Sequence, residues 1–282
     1  VSLLTKTIMF SRCLLAVVAL GATVIGGASA RQRSDYVNRF PHLQTAPEYN
    51  LGTAPEAPTA LGDITSAAVN PTTKNQVDIA CGKDLLRVQF WRPDVVRVWL
   101  AWGGNFTDEA SADIITGEPV SGITAQVSDK GDHYEITAGS NSVSLHAAKS
   151  PAKFSLYSAS GSVLWAEAEP LSHNSTATFQ TLSPSATESG ATSEAFFGGG
   201  MQNGRFVHTG TRIRISTDYN WADGGNPNSV PLYMSTNGYA VYRNTWKPGY
   251  YNFGTDGTVT TGHNETDRFD AFYFGVEQPR DF

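Results

Sequence analysis

"PLYMSTNGYAVYRN", residues 231–244, decides the fold. Apolar and polar residues alternate on both sides of Asn237-Gly238. An Asn-Gly pair between alternating runs marks a hairpin, because both residues accept the positive φ of a tight two-residue turn. The chain here is therefore antiparallel β.

The same two-residue period extends outward in both directions. "LLRVQF" (85–90) and "VVRVWLAW" (95–102) flank "WRPD", where Pro93 fixes φ for a turn. "HYEITAGSNSVSLHA" (133–147) and "KFSLYSASGSVLWAEA" (153–168) each read strand, polar turn, strand, with Phe154 and Leu156 on one face and Val163 and Trp165 on another. "TRIRIS" (211–216), "YYNFGTDGTVTT" (250–261) and "RFDAFYFGV" (268–276) follow in the same style. About ten to twelve short strands, roughly 8 to 12 residues apart and without an amphipathic helix, predict an all-β antiparallel sandwich over 77–282. No repeat of fixed period is present, which disfavours a propeller or solenoid. Residues 31–76, rich in Pro, Ala and Gly around "TAPEYNLGTAPEAPTALG" (45–62), read as an extended segment leading into the sandwich. The Ser/Thr-rich stretch 172–193 reads as a surface excursion within one domain.

Composition narrows the class. The 282 residues are 40% hydrophobic but only 16% charged, against roughly 25% in a typical soluble chain, as expected of a secreted β protein. A net charge of −6 without a Lys/Arg cluster makes nucleic acid an unsuitable partner. At the N-terminus, Lys6 and Arg12 flank Met9, "CLLAVVALGATVIGG" (13–27) is an apolar run, and "ASA" (28–30) is a small-residue cleavage site. That order predicts a secretory signal peptide over 1–30, with 1–8 a leader ahead of Met9, extracellular localisation, and no membrane association after cleavage. The apolar run is shorter than the roughly 20 residues of a membrane span. Cleavage removes Cys13, leaves Cys81 alone and so forbids an intramolecular disulfide. Asn105-Phe-Thr, Asn174-Ser-Thr and Asn264-Glu-Thr are glycosylation sequons, whereas Asn70 precedes Pro and is not.

"FFGGGMQNGRF" (196–206) invites a nucleotide reading that its residues refuse. After the Gly199–Gly204 spacing come Arg205 and Phe206 in place of the Lys and hydroxyl of a phosphate loop, and Asn203 occupies the third glycine of a dinucleotide fingerprint. The six histidines show no metal-ligand spacing, and there is no G-x-S-x-G nucleophile elbow. "DYNWADGGNPNS" (218–229) lacks the acidic spacing and terminal Glu of a calcium loop. No cofactor or metal is expected.

Taken together, "FFGGGMQNGRF" and "YNWADGGNPNSVPLYMSTNGYAVYRNTWKPGYYNFG" (219–254) resemble the N-terminal β-sandwich domain of glycoside hydrolase family 31, the α-glucosidase and α-glucosyltransferase family. The shared order is a Gly-rich turn after an aromatic strand, an Asn/Trp/Asp loop, a Pro-initiated strand and a returning hairpin; the resemblance covers about 80 to 282. It implies a galactose-mutarotase-like sandwich that precedes a (β/α)₈ barrel carrying the catalytic aspartates. This sequence runs only to "FDAFYFGVEQPRDF", where that barrel begins in the family, so the expectation is a fragment without catalytic residues and inactive alone. Retaining hydrolysis needs two carboxyl groups about 5 to 5.5 Å apart. Glu167 and Glu169, which read as sharing a strand face beside Trp165, are not such a pair.

The resemblance further implies that a loop of this domain reaches the substrate. In "TDYNWADGG" (217–225), Asp218, Asn220, Trp221 and Asp223 offer a carboxylate, an amide and an aromatic face for an α-glucoside oligosaccharide, with Asp223 favoured by the glycines after it. The same residues also suit an ordinary turn, and Trp221 a core position. The glycines of 198–200 read as a bend near a sugar site or simply as a bend. Arg205 and His208 read as a solvated pair at a strand end. Three functions compete: the barrel-docking N-terminal part of a secreted α-glucoside hydrolase or transglucosidase, with the absent barrel as its intramolecular partner; a free-standing carbohydrate-binding module; and a protein-binding sandwich, which the Asn/Trp/Asp loop fits poorly.

Overall fold

A computed structural model describes residues 57–106, 115, 117–183, 194–202, 206–216 and 228–276. Eighteen strands occur among them: β1 (Thr59–Ala60), β2 (Ile64–Val69), β3 (Gln76–Cys81), β4 (Asp84–Arg92), β5 (Val95–Ala101), β6 (Gln126–Asp129), β7 (His133–Thr137), β8 (Ser144–Lys149), β9 (Ala152–Tyr157), β10 (Val163–His173), β11 (Thr178–Ser183), β12 (Phe196–Met201), β13 (Thr211–Ile215), β14 (Asn228–Ser235), β15 (Tyr239–Arg243), β16 (Gly249–Phe253), β17 (Val259–His263) and β18 (Arg268–Gly275). One sheet runs β13-β16-β17-β11-β10-β9-β8-β7-β6 with β1 beside β10, and the other runs β12-β14-β15-β18-β5-β4-β3-β2. Their inner faces meet through aromatic rings. Trp165 lies 4.6 Å from Tyr273, Phe196 4.9 Å from Phe253 and Tyr233 5.0 Å from Tyr251, each pair spanning the two sheets. Burying such a ring contributes about 1.5–3 kcal/mol, so this aromatic seam is a principal source of cohesion.

Asn237-Gly238 sits in the β14–β15 turn, with Gly238 at φ 83° and its N–H donating to Ser235 O at 3.2 Å. The sandwich starts earlier than residue 77. β1 and β2 lie in the stretch expected to be an extended segment, and β2 pairs with β3 from Ile64↔Cys81 to Val69↔Val77. Only Ile64 of β2 is buried; its other residues are exposed or half-buried, so an edge strand escaped a reading based on alternation.

β10 departs from simple alternation twice. Between Val163 and Trp165 the register to β9 slips, so Leu164 and Trp165 are both buried and Val163 is not their facial companion. A second slip, against β11, falls between Glu167 and Glu169. The two carboxylates therefore do not share a face: Glu167 is buried in the core and Glu169 is exposed. A β-bulge inserts residues into one strand only and reverses the facing of the positions beyond it.

The glycine run forms an edge strand, β12, rather than a turn. Gly198, Gly199 and Gly200 all have positive φ (108°, 73° and 76°), and the ladder to β14 slips between Gly198 and Gly200. A Cβ on Gly198 would meet Leu232 O at 2.6 Å, and one on Gly200 would strike Asn228 O. Glycine is thus required twice, for conformation and for closeness. Gly161 has φ 86° but open space around it, which separates the two requirements. Gly161→Ala should cost only the roughly 1–2 kcal/mol of backbone strain. Gly198→Ala should cost clearly more, and paired urea titrations of the two variants measure the difference.

Candidate functional site

The loop singled out by the sequence, with Asp218, Asn220, Trp221 and Asp223, lies outside the described residues, as does Arg205. What is described is the end of the sandwich from which that loop springs: Ser216 after β13, Asn228 at the start of β14, and the connection 244–248 between β15 and β16.

Two buried polar networks hold that connection. The first lies on the face of β5 and β18 opposite the core. Arg97, 2% exposed, forks onto Asp270 with Nε to Oδ1 at 2.9 Å and Nη2 to Oδ2 at 2.7 Å. The guanidinium lies 4.5 Å from the Trp99 ring centroid and 5.3 Å from that of Phe272, which shield it from water. Asn244 Nδ2 donates to the same Asp270 Oδ2 at 2.7 Å, and the Asn244 N–H donates to Asp270 O at 3.0 Å. A bidentate, fully desolvated pair thus ends by gripping the first residue of the connection.

The second network lies on the core side. Arg243 is fully buried; its Nε donates to Asp270 O at 3.3 Å, its Cζ stacks 3.9 Å from the Phe269 centroid, and Nη2 stands 3.9 Å from Glu265 Oε2. Glu265 Oε1 also accepts from Arg268 Nε at 3.2 Å. His263 Nδ1 lies 3.2 Å from Lys247 O, and because a carbonyl only accepts, Nδ1 carries the proton. Burial, reinforced by the Arg243 charge, pushes the His263 pKa down to about 3, so the ring is neutral. The Asn264 N–H donates to Pro248 O at 2.9 Å, and the Lys247 N–H to Thr245 Oγ1 at 3.0 Å. Asn244, Thr245 and Pro248 are therefore fixed while Trp246, between them, is 57% exposed.

Trp246 stands on the rim of a small cleft of about 60 Å³ with Ser216, Ser229, Pro231, Lys247 and Pro248. A larger cleft, about 390 Å³, lies at the opposite end of the sandwich between the Pro93–Asp94 turn and Gly275. Its walls of turn residues carry no aromatic ring, so it is not the better candidate despite its size.

His208, expected in a solvated pair, is buried instead. Its Nε2 donates to Gly198 O at 2.9 Å and its ring stacks on Phe253 at 5.9 Å, so it braces the bulged edge strand. The sequons also diverge. Asn105 is exposed. Asn174 is buried, its Oδ1 accepting from Thr176 N, Thr176 Oγ1 and Ala177 N at 2.9, 2.8 and 3.0 Å while Nδ2, the atom a glycan would need, is enclosed. Asn264 is half-buried. "NTWKPGYYNFG" (244–254) has the aromatics of a carbohydrate platform but reads, from Tyr and Phe alternating in a strand, as packing, which exposed Trp246 does not follow. The buried networks were missed by the sequence reading. "VVRVWL" and "RFDAFYF" do place a charge in the middle of an apolar strand, which was the available signal.

Residues 85–252 match the family profile of the glycosyl hydrolase 31 N-terminal galactose mutarotase-like domain. No curated protein sequence matches the chain. Among solved structures, a family 31 dextranase of Flavobacterium johnsoniae complexed with isomaltotriose superposes with a TM-score of 0.66 at 16% identity, over 78% of this chain and 27% of that one. The cycloalternan-forming enzyme of Listeria monocytogenes, in complex with a pentasaccharide substrate, gives 0.61 at 18% identity over 77% and 21%. A family 31 α-xylosidase from a soil metagenome, complexed with xylose, gives 0.58 at 16% identity over 76% and 33%. The chain thus spans between about a fifth and a third of the length of these enzymes.

Two outcomes are expected from the buried groups. Asp270→Asn leaves the Arg97 guanidinium buried with a weakened partner and should cost about 3–5 kcal/mol, read as a fall in the denaturation midpoint. The pH dependence comes mainly from Glu167 and His263. Burial pushes the Glu167 pKa from 4.5 to about 8, although Gln180 Nε2 at 2.8 Å and Phe154 N at 3.0 Å favour the charged form. The folded chain therefore holds a proton there that the unfolded chain has released above pH 4.5, and stability is lost as pH rises towards 8. His263 has the opposite sign, because the unfolded chain gains its proton below pH 6.5 and the folded chain only near 3, so it costs stability at acid pH. Burial raises Glu194 and Glu265 as well, in the same sense as Glu167. Between pH 6.5 and 8 Glu167 acts without the opposing histidine, with a slope of up to about 1.4 kcal/mol per pH unit. Thermal melts across that range should show a falling midpoint, and Glu167→Gln should flatten the fall.

Proposed function

The chain belongs to glycoside hydrolase family 31 through its N-terminal galactose mutarotase-like domain, and on that premise we propose that it is the substrate-loop and barrel-docking part of a secreted α-glucoside hydrolase or transglucosidase. In this reading the chemistry on the O-glycosyl bond belongs to a (β/α)₈ barrel, and this part alone is inactive. The loop 217–225 contributes Asp218, Asn220, Trp221 and Asp223 to an α-glucoside oligosaccharide. The complexes of related enzymes with isomaltotriose, glucose and a pentasaccharide support sugar as the ligand class.

One observation carries the docking reading. Met201, Phe206, Val207 and Val230 are 51%, 81%, 44% and 41% exposed. They gather at one edge, since Met201 and Gly200 pair with Asn228 and Ser229 beside Val230, and the Phe206 ring lies 5.4 Å from that of Phe197. Apolar side chains concentrated at the base of the substrate loop suit an interface between domains, which typically buries some 600–1,500 Å². Secretion rests on the signal-peptide reading of 1–30, and Asn105 is the sequon whose exposure suits a glycan.

Expressed through a eukaryotic secretory pathway, the protein should yield a glycopeptide at Asn105 and an unmodified peptide at Asn174 by mass spectrometry. For function, the 282-residue chain should release no glucose from maltose, isomaltose or nigerose, whereas a product extended past Phe282 should do so. In the active product, Asp223→Asn should lower kcat/KM by at least about tenfold, or about 1.4 kcal/mol of transition-state binding. Phe206→Ser with Val207→Ser should lower the melting temperature of the extended product and leave that of the 282-residue chain unchanged. A transcript that stops at Phe282 and encodes a folded, oligosaccharide-binding protein would replace this reading with that of a free-standing carbohydrate-binding module.

A further inference from the structure

Trp246 is the one exposed tryptophan among the described residues, and it is held there. An exposed indole on a mobile loop carries little meaning. This one sits between Asn244, Thr245 and Pro248, whose backbone and side chains are fixed by Asp270, Lys247 and Asn264. Asn244 and Thr245 are 0% and 3% exposed, so the backbone entering Trp246 is core-like while its side chain faces water. The fold thus commits two desolvated networks to one turn and leaves the largest apolar side chain of that turn uncovered. Presentation of this kind lowers the ordering cost of a ligand contact.

The surroundings specify the ligand's chemistry. Beside the indole lie Pro248 and Pro231, half-buried Ser229 and exposed Lys247, while the hydroxyls of buried Ser216 and Thr245 are taken by Arg214 and by the Lys247 N–H. An apolar ring face bordered by a hydroxyl and an ammonium complements a pyranose, which has an apolar C–H face and a rim of hydroxyls. The cleft itself, about 60 Å³, is too small to enclose a sugar ring, so the contact is stacking from above and not burial.

We propose that Trp246 is a stacking platform for a pyranose unit of an oligosaccharide, with exposed Lys247 and half-buried Ser229 beside it bonding its hydroxyls. The choice of ligand class rests on the carbohydrate reading above; the site itself is separate from the loop residues Asp218, Asn220, Trp221 and Asp223.

The test uses the full chain with isomaltotriose and maltotriose, followed by saturation-transfer NMR and tryptophan fluorescence titration. Trp246→Ala should weaken binding by about tenfold or more without moving the melting temperature, because the side chain is exposed, and Trp246→Phe should retain most of it. Trp221→Ala serves as the comparison for the loop. The platform is overturned if Trp246→Ala binds as the unaltered chain does, or if the unaltered chain binds neither sugar. Neither result touches the activity of the barrel-extended product, which decides the broader reading on its own.

Discussion

Asp270 is the group on which this end of the molecule depends. Its carboxylate takes two hydrogen bonds from Arg97 on β5 and one from Asn244 beyond β15, and its carbonyl takes two more, from Asn244 and Arg243. A carboxylate removed from water is costly unless every lone pair is engaged, and here the engagement ties three consecutive elements of one sheet together. Replacing such a pair by apolar residues often leaves stability unchanged. The return is geometric: the pair fixes where the strand β15 ends and therefore where Trp246 stands.

The edge strand β12 sets a second constraint. Three successive positive-φ glycines let it run against β14 at a spacing no side chain permits, and buried His208 holds the displaced Gly198 carbonyl. An open edge is ordinarily a liability. In this protein it ends in Met201 and is followed by exposed Phe206 and Val207, so the irregular strand and the apolar patch are parts of one feature.

The antiparallel architecture was legible because it rests on local signals. Asn237-Gly238, Pro93-Asp94 and the alternation of Phe154 and Leu156 each act over a few residues, and each stands in the structure where the pattern put it. The failures share a cause as well. Bulges at Leu164 and between Glu167 and Glu169 shift facing without any composition mark, and β2 shows no alternation because one residue of six is buried. Arg97 and Asp270 are 173 positions apart, so sequence showed two odd charges in apolar strands but not that they were one pair. The candidate loop lies outside the described residues and rests on the resemblance and on its carboxylate, amide and aromatic residue types.

Perturbed carboxylates are a familiar pointer to catalysis, and this chain shows why the pointer needs geometry. Glu167 is raised to about 8, which is the property of a general acid, and Glu194 and Glu265 are raised as well. Yet Glu167 is bonded to Gln180 and to the Phe154 N–H, Glu194 to Ser235, and Glu265 to Arg268. None of the three lines either cleft. A proton held where no substrate oxygen can come within about 3 Å takes no part in glycosyl transfer. These glutamates therefore mark the desolvation of the core. Trp246 shows the opposite property, an apolar side chain left in water at the end of a rigid support.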